Sequence, residues 1–136
     1  MAGGEGTRLR PLTSNVPKPM MPLANRPMME HILDLLKCHG FDEVVVTVAF
    51  MANHIRDWFG DGSEFGVRMV YATEETPLGT AGSVRNAMEE LTEPFLVISG
   101  DVLTDGDLTK IVAAHEEKDA TVTIEYVRRI EQLARS

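Results

Sequence analysis

The chain has 136 residues, 43% of them hydrophobic and 25% charged, which suits one globular domain with a real core. A net charge of -8 argues against a nonspecific nucleic-acid binder, and no apolar run approaches the ~18 residues of a membrane span. The single cysteine, Cys38, excludes an internal disulfide framework and sets a reducing, cytoplasmic location as the expectation. Cys38 sits in an apolar helical pattern and is expected to be a buried structural thiol.

Residues 3–20 carry the densest chemistry. Gly3, Gly4 and Gly6 let a backbone approach an anion, and successive N–H groups there form a concave donor site. Thr7 adds a hydroxyl and Arg8 a planar, bidentate phosphate contact. Lys18 lies between Pro17 and Pro19, so its cation rides on a stiffened backbone. A dinucleotide fingerprint would open directly into a helix, which Pro11 forbids here, and the Gly-Lys-Ser/Thr of a Walker loop is absent. A Gly-rich surface turn is the plain alternative.

Further along, Asn25 reads as a helix cap with Pro27 in the first turn. Met28, Ile32, Leu35 and Leu36 recur at helical spacing, and Gly40 supplies the stop. Met20, Met21, Met28 and Met29 read as packing residues. Residues 43–50 are β-branched and predict a strand covered on both faces. Residues 53–59 predict a short helix, with Trp58 and Phe59 anchoring it. Residues 67–72 predict a second strand, 79–91 a helix opening in a glycine turn, and 95–99 a third strand ending at Gly100 and Asp101. Asp107 caps a helix to about Lys118, with Asp105 in the turn before it, and 120–127 predict a fourth strand. Helices alternating with strands imply an α/β fold: a Rossmann-like, mostly parallel sheet with helices on both faces. Ligands of such sheets bind at the carboxyl ends of the strands, where the loops at Gly79 and Asp101 are expected to lie.

Pro77 stiffens the segment 74–82, and Gly79 would let a base lie flat against the backbone; an ordinary turn and helix cap is the alternative. Asp101, a carboxylate at a strand end, suits Mg²⁺, with a turn aspartate as the alternative. His31, His39, His54 and His115 have no metal-ligand spacing.

The run from Ala2 to Thr13, with Pro17, Lys18, Pro19 and Met20, resembles the signature of the nucleoside-diphosphate-sugar pyrophosphorylases. The segment Glu74-Glu75-Thr76-Pro77-Leu78-Gly79-Thr80-Ala81-Gly82 resembles that family's base-recognition loop, and Ser99-Gly100-Asp101 the strand end bearing its metal aspartate. The resemblance implies a GT-A-like nucleotidyltransferase fold over 1–125, as its nucleotide-binding part, and transfer of a nucleotidyl group from an NTP to a sugar 1-phosphate. It implies catalytic roles for Arg8, Lys18 and Asp101, with Asp101 holding Mg²⁺. Nucleotide contacts are implied for Ala2, Gly3, Gly4, Gly6, Thr7, Glu74 (or Glu75), Gly79 and Thr80. The form of the 74–82 loop is most like members using GTP and mannose 1-phosphate, in particular bacterial ones that can be fused to a phosphomannomutase-like domain. Thymidylyl-, uridylyl- and adenylyltransferases share much of it. No nucleic-acid or membrane partner is implied, and a homo-oligomer of the complete protein is left open.

Against the family pattern, the strand expected before Ala2, the sugar-binding segments and a second metal aspartate are missing, and 126–136 form an atypical tail. The expectation is therefore an incomplete fold that binds nucleotide weakly and does not turn over alone. A noncatalytic nucleotide-binding homologue is the alternative, against which the retention of Arg8, Lys18 and Asp101 counts.

Overall fold

The computed structural model describes residues 1–2 and 15–125. The chain divides into two compact units, Met1–Leu103 and Thr104–Ser136. The Gly-rich segment 3–14 and the tail 126–136 lie outside the described residues.

In the first unit, a 3₁₀ turn at Lys18–Met20 follows the fully buried Pro17. Two short strands come next, β1 (Pro22–Leu23) and β2 (Arg26–Pro27), paired antiparallel. Ala24 and Asn25 turn the corner with positive φ (49° and 64°), the backbone twist that two-residue hairpins favour. Asn25 is thus a hairpin residue and not the helix cap expected from sequence. Asn tolerates this conformation better than most residues, and the hairpin claims it before the helix begins.

Pro27 takes the cap position of α1 (Met28–Cys38). Met29, Ile32, Leu33 and Leu36 form its buried stripe at helical spacing. Met20, Met21 and Met28 are only partly buried. Gly40 ends the helix as expected, with φ 82° and its N–H on the Lys37 carbonyl. Cys38 corrects the sequence reading, because it is exposed. It lies two residues past Leu36, about 200° around the helix and so off the buried stripe. Arg26 donates to Asp34 at 2.7 Å, fastening the hairpin to this helix.

β3 (Glu43–Val48) and β4 (Arg68–Thr73) pair in parallel, from Glu43 opposite Arg68 to Val48 opposite Thr73. Between them runs α2 (Ala52–Phe59), the helical crossover that parallel strands require. Ile55 and Phe59 are its buried anchors, and Phe59 stacks at a tilt on Phe65 with centroids 4.9 Å apart. Trp58 is 53% exposed and anchors nothing, since it falls on the solvent side of the same helix. α3 (Gly79–Asn86) is shorter than the expected 79–91, and a separate 3₁₀ turn at Met88–Glu90 follows it.

Met1 and Ala2 complete the sheet locally. The Met1 amine donates to the Ile98 carbonyl at 2.9 Å, and Gly100 N–H donates back to the Met1 carbonyl at 2.6 Å. On the other side, Ala2 N–H donates to the Thr47 carbonyl at 2.9 Å. This is the hydrogen-bond pattern of a parallel ladder, with Met1 and Ala2 between β3 and 98–100. The expected strand at 95–99 does not form. Met1 reaches only Ile98 and Gly100, so 95–97 have no ladder partner among the described residues, and Phe95 and Val97 are exposed.

In the second unit, α4 (Leu108–Glu117) starts as expected. Asp107 caps it, its side chain accepting from Lys110 N–H at 3.1 Å. The expected strand at 120–127 is absent over its described part, 120–125. Val122 and Ile124 are exposed there, and without a partner strand among the described residues β propensity alone forms no strand.

Candidate active site

The carboxyl ends of the parallel elements bring the candidate residues together. Glu74 follows β4 directly, and its N–H donates to the Val48 carbonyl at the end of β3 (2.8 Å). Asp101 follows the 98–100 segment on the same edge. The Met1 amine lies within the electrostatic reach of both carboxylates; burial pushes its pKa down, while Asp101 and Glu74 pull it up.

Lys18 reaches this edge from its proline-flanked turn and donates to Asp101 Oδ2, forming an ion pair 83 residues apart in sequence. The Ser99 hydroxyl donates to Asp101 Oδ1. Burial alone would push the Asp101 carboxyl up. The Lys18 ammonium and Ser99 hydroxyl outweigh it and hold the group below its usual value. Asp101 is therefore an ionised carboxylate at neutral pH, with both oxygens held in place and about a third of the side chain open to solvent. Sequence reasoning had not given Ser99 a role. The signal was its position two residues before Asp101, on the same side of an extended chain.

Glu74 is buried and turned inward. Its Oε2 accepts Leu78 N–H at 3.3 Å, so the carboxylate braces the loop 74–78 from within. Its Oε1 is buried with no hydrogen-bond partner among the described residues. Glu75, by contrast, is exposed. Gly79 opens α3 with φ 69°, and a Cβ there would meet nothing within 4 Å. Thr80 is exposed beside it. Gly82 has a different reason to be glycine, because a Cβ would sit 2.7 Å from the Leu78 Cβ.

Ala2 is buried in the ladder, whereas Gly3, Gly4, Gly6, Thr7 and Arg8 lie outside the described residues. Among the described residues no group of three His, Cys, Asp or Glu side chains is placed to hold a metal ion. Asp101 alone still fits Mg²⁺, which commonly takes one or two carboxylates and completes its shell with water and substrate phosphates. Among the described residues, no helix is long and apolar enough to cross a membrane.

Comparison with known proteins places this geometry. The family model described as nucleotidyl transferase matches residues 1–134. The chain belongs to the nucleotidyl transferase family. This nucleotidyl transferase chain is 41% identical, over 91% of its length, to the UTP–glucose-1-phosphate uridylyltransferase of Synechocystis. It is 40% identical, over 94% of its length, to the mannose-1-phosphate guanylyltransferase of Mycobacterium tuberculosis. It spans 35% and 36% of those two proteins, about a third of their length. In structure it resembles HddC from Yersinia pseudotuberculosis complexed with GMP-PN, with a TM-score of 0.75 and 28% identity. That match covers 84% of this chain and 51% of HddC. The fold is accordingly α/β and GT-A-like, and the part described here holds a portion of it.

Proposed function

We propose that this domain serves nucleotidyl transfer from an NTP to a sugar 1-phosphate, yielding a nucleoside-diphosphate sugar and pyrophosphate. The observation that carries the reading is the Lys18–Asp101 pair at the carboxyl edge of the sheet, in a chain of the nucleotidyl transferase family. A sugar 1-phosphate oxygen attacks the α-phosphorus, forming a P–O bond. The α–β bridging bond breaks, and its electron pair leaves with pyrophosphate. The nucleophile is already anionic, so the protein need only position and neutralise charge. Lys18 leaves Asp101 for the phosphates. Arg8 and the backbone at Gly3, Gly4, Gly6 and Thr7 hold the triphosphate; the Ala2 N–H, expected to join them, is spent on the Thr47 carbonyl. Asp101 would be the protein ligand for Mg²⁺, which would supply charge neutralisation on the phosphates.

Glu74 and Gly79 address the base, with Thr80 beside them. The likeness of the 74–82 loop to members using GTP favours guanine, which Glu74 meets only by turning out of the buried position it holds here. A carboxylate offers only acceptors, and guanine presents adjacent N1–H and 2-amino donors. Uracil and thymine present one N–H between two carbonyls. GTP with mannose 1-phosphate is the substrate pair we propose, on the form of the 74–82 loop and in keeping with the guanylyltransferase relative. The free thiol of Cys38 goes with a reducing, cytoplasmic setting.

The test is titration of this chain with GTP and UTP, with and without Mg²⁺, followed by pyrophosphate release in the full protein bearing it. Lys18→Ala should lower turnover about a hundredfold with the fold intact, and Glu74→Gln should erode the preference for GTP over UTP. Near-normal turnover of Lys18→Ala would sink the role given to Lys18. Equal affinity of the parent for both nucleotides would sink the guanine reading.

A further inference from the structure

Lys18 meets Asp101 from a turn whose two ends are held differently. Upstream lies Pro17, fully buried. Downstream the chain runs at once into the β1–β2 hairpin, and strands of two residues are too short to hold themselves in water. Of the hairpin residues Pro27 alone is buried, so apolar burial does little to fix it either. The polar side of α1 supplies the hold. The Arg26 guanidinium meets Glu30 at 3.3 Å, Asp34 at 2.7 Å and His31 Nδ1 at 3.1 Å. Through Nε2 the same imidazole meets the Leu23 carbonyl at 2.9 Å. A guanidinium only donates and a carbonyl only accepts, so His31 carries its proton on Nε2 and presents a bare Nδ1. Leu23 and Arg26 are register partners, so one ring grips both strands of the hairpin at the same rung. At the base of the hairpin, Met28 N–H donates to the Met21 carbonyl at 3.0 Å, three residues on from Lys18.

We propose that Arg26 and His31 are positioning residues for Lys18. They act through the hairpin and not on substrate: by clasping it to α1 they fix the turn at Lys18–Met20, and with it the direction from which the Lys18 ammonium meets the phosphates. The assignment rests on the phosphate role proposed for Lys18. A lysine is a point charge on a flexible stem, so its aim depends on where its backbone is held. A displacement of about 1 Å at a group that positions a reaction can lower the rate on the order of a hundredfold. The tautomer is part of the device, because a proton on Nδ1 would face the Arg26 guanidinium and leave it no acceptor on the ring.

The experiment compares Arg26→Met and His31→Phe, which keep apolar bulk and lose the polar grip, with His31→Gln, which keeps an acceptor for Arg26 and a donor for Leu23. Amide exchange in this chain is read at Met20 and Met21, whose N–H groups bond the Pro17 and Lys18 carbonyls, and at Met28. Arg26→Met and His31→Phe should speed exchange at all three about tenfold. His31→Gln should lie nearer the parent, and the parent's ring-nitrogen shifts should show the His31 proton on Nε2. In the full protein bearing this chain, Arg26→Met and His31→Phe should lower kcat for pyrophosphate release at least about tenfold. Neither should lower it further once Lys18 is Ala, the non-additivity of residues that act through one another. Parent-like exchange in both variants would overturn the proposal, as would a loss of turnover that adds in full to that of Lys18→Ala. If His31→Phe does not fold, Arg26→Met with the ring-nitrogen shifts decides the matter. Normal turnover of Lys18→Ala would instead remove the role given to Lys18, and the exchange rates would still show whether the clasp holds its turn.

Discussion

Gly100→Ala isolates what the ladder at Met1 contributes. A Cβ at position 100 would stand 2.7 Å from the Met1 carbonyl oxygen and 3.5 Å from the Ala2 Cβ. The first of these is a backbone atom, so no rotamer change relieves the contact. Overpacking of this kind costs ~1–3 kcal/mol. The relief open to the chain, withdrawal of Met1, instead breaks two hydrogen bonds worth ~0.5–1.5 kcal/mol each. Strained in place or relieved, the change costs ~1–3 kcal/mol, which for a unit of this size lowers the melting temperature on the order of 10 °C. Gly79→Ala is the matched control. No atom lies within 4 Å of its added Cβ, so only the cost of φ 69° applies, ~1–2 kcal/mol. Calorimetry of the two variants, with exchange rates at Ala2 and Gly100, reads the difference. A Gly100→Ala melt within 1 °C of the parent, at most about a quarter of a kcal/mol, would refute the collision and the ladder together.

Three further outcomes are expected. Asp101 has its pKa depressed in the fold, so its contribution is present at neutral pH and fades as pH falls through that lowered value. The melting gap between parent and Asp101→Asn should therefore be open at neutral pH and close below about pH 4; a gap that widens in acid would contradict the pairing. Asp107→Ala should cost ~1 kcal/mol through loss of the α4 cap, seen as faster exchange at Lys110 with the first unit unaffected. Cys38 should react with a thiol reagent in the native chain at the rate of an accessible thiol, and protection until unfolding would show that its exposure is wrong.

What could be read from sequence divides along a physical line. α1, α2, β3 and β4 announce themselves through local periodicity, and the Asp107 cap through a residue and its helix a few positions away. The hairpin at Pro22–Pro27 escaped because two-residue strands have no period to detect, and Asn25 suits a cap and a left-handed turn equally well. Residues 95–99 and 120–125 have strand composition without a strand, since β structure is a property of a pair of edges and not of one segment. At the site, Lys18 and Asp101 were each identifiable from their motifs. Their mutual ion pair was not, because it depends on how 83 intervening residues fold. Glu74 was placed on the base edge, yet one of its oxygens braces its own loop through Leu78, a hydrogen bond that composition cannot announce.

The bond from Met1 to Ile98 also sets an order of events during synthesis. Met1 waits for a partner 97 positions later, while Ala2 needs only Thr47, 45 positions on. At about 5–20 residues per second, that wait lasts roughly 5–20 s. β3, α2 and β4 can close on one another well before it ends, because β4 begins only about two dozen residues after β3 starts. The rung that joins Met1 to 98–100 is thus the last drawn into this part of the sheet, and the far side of Met1 stays bare on the nascent chain until Gly100 has emerged.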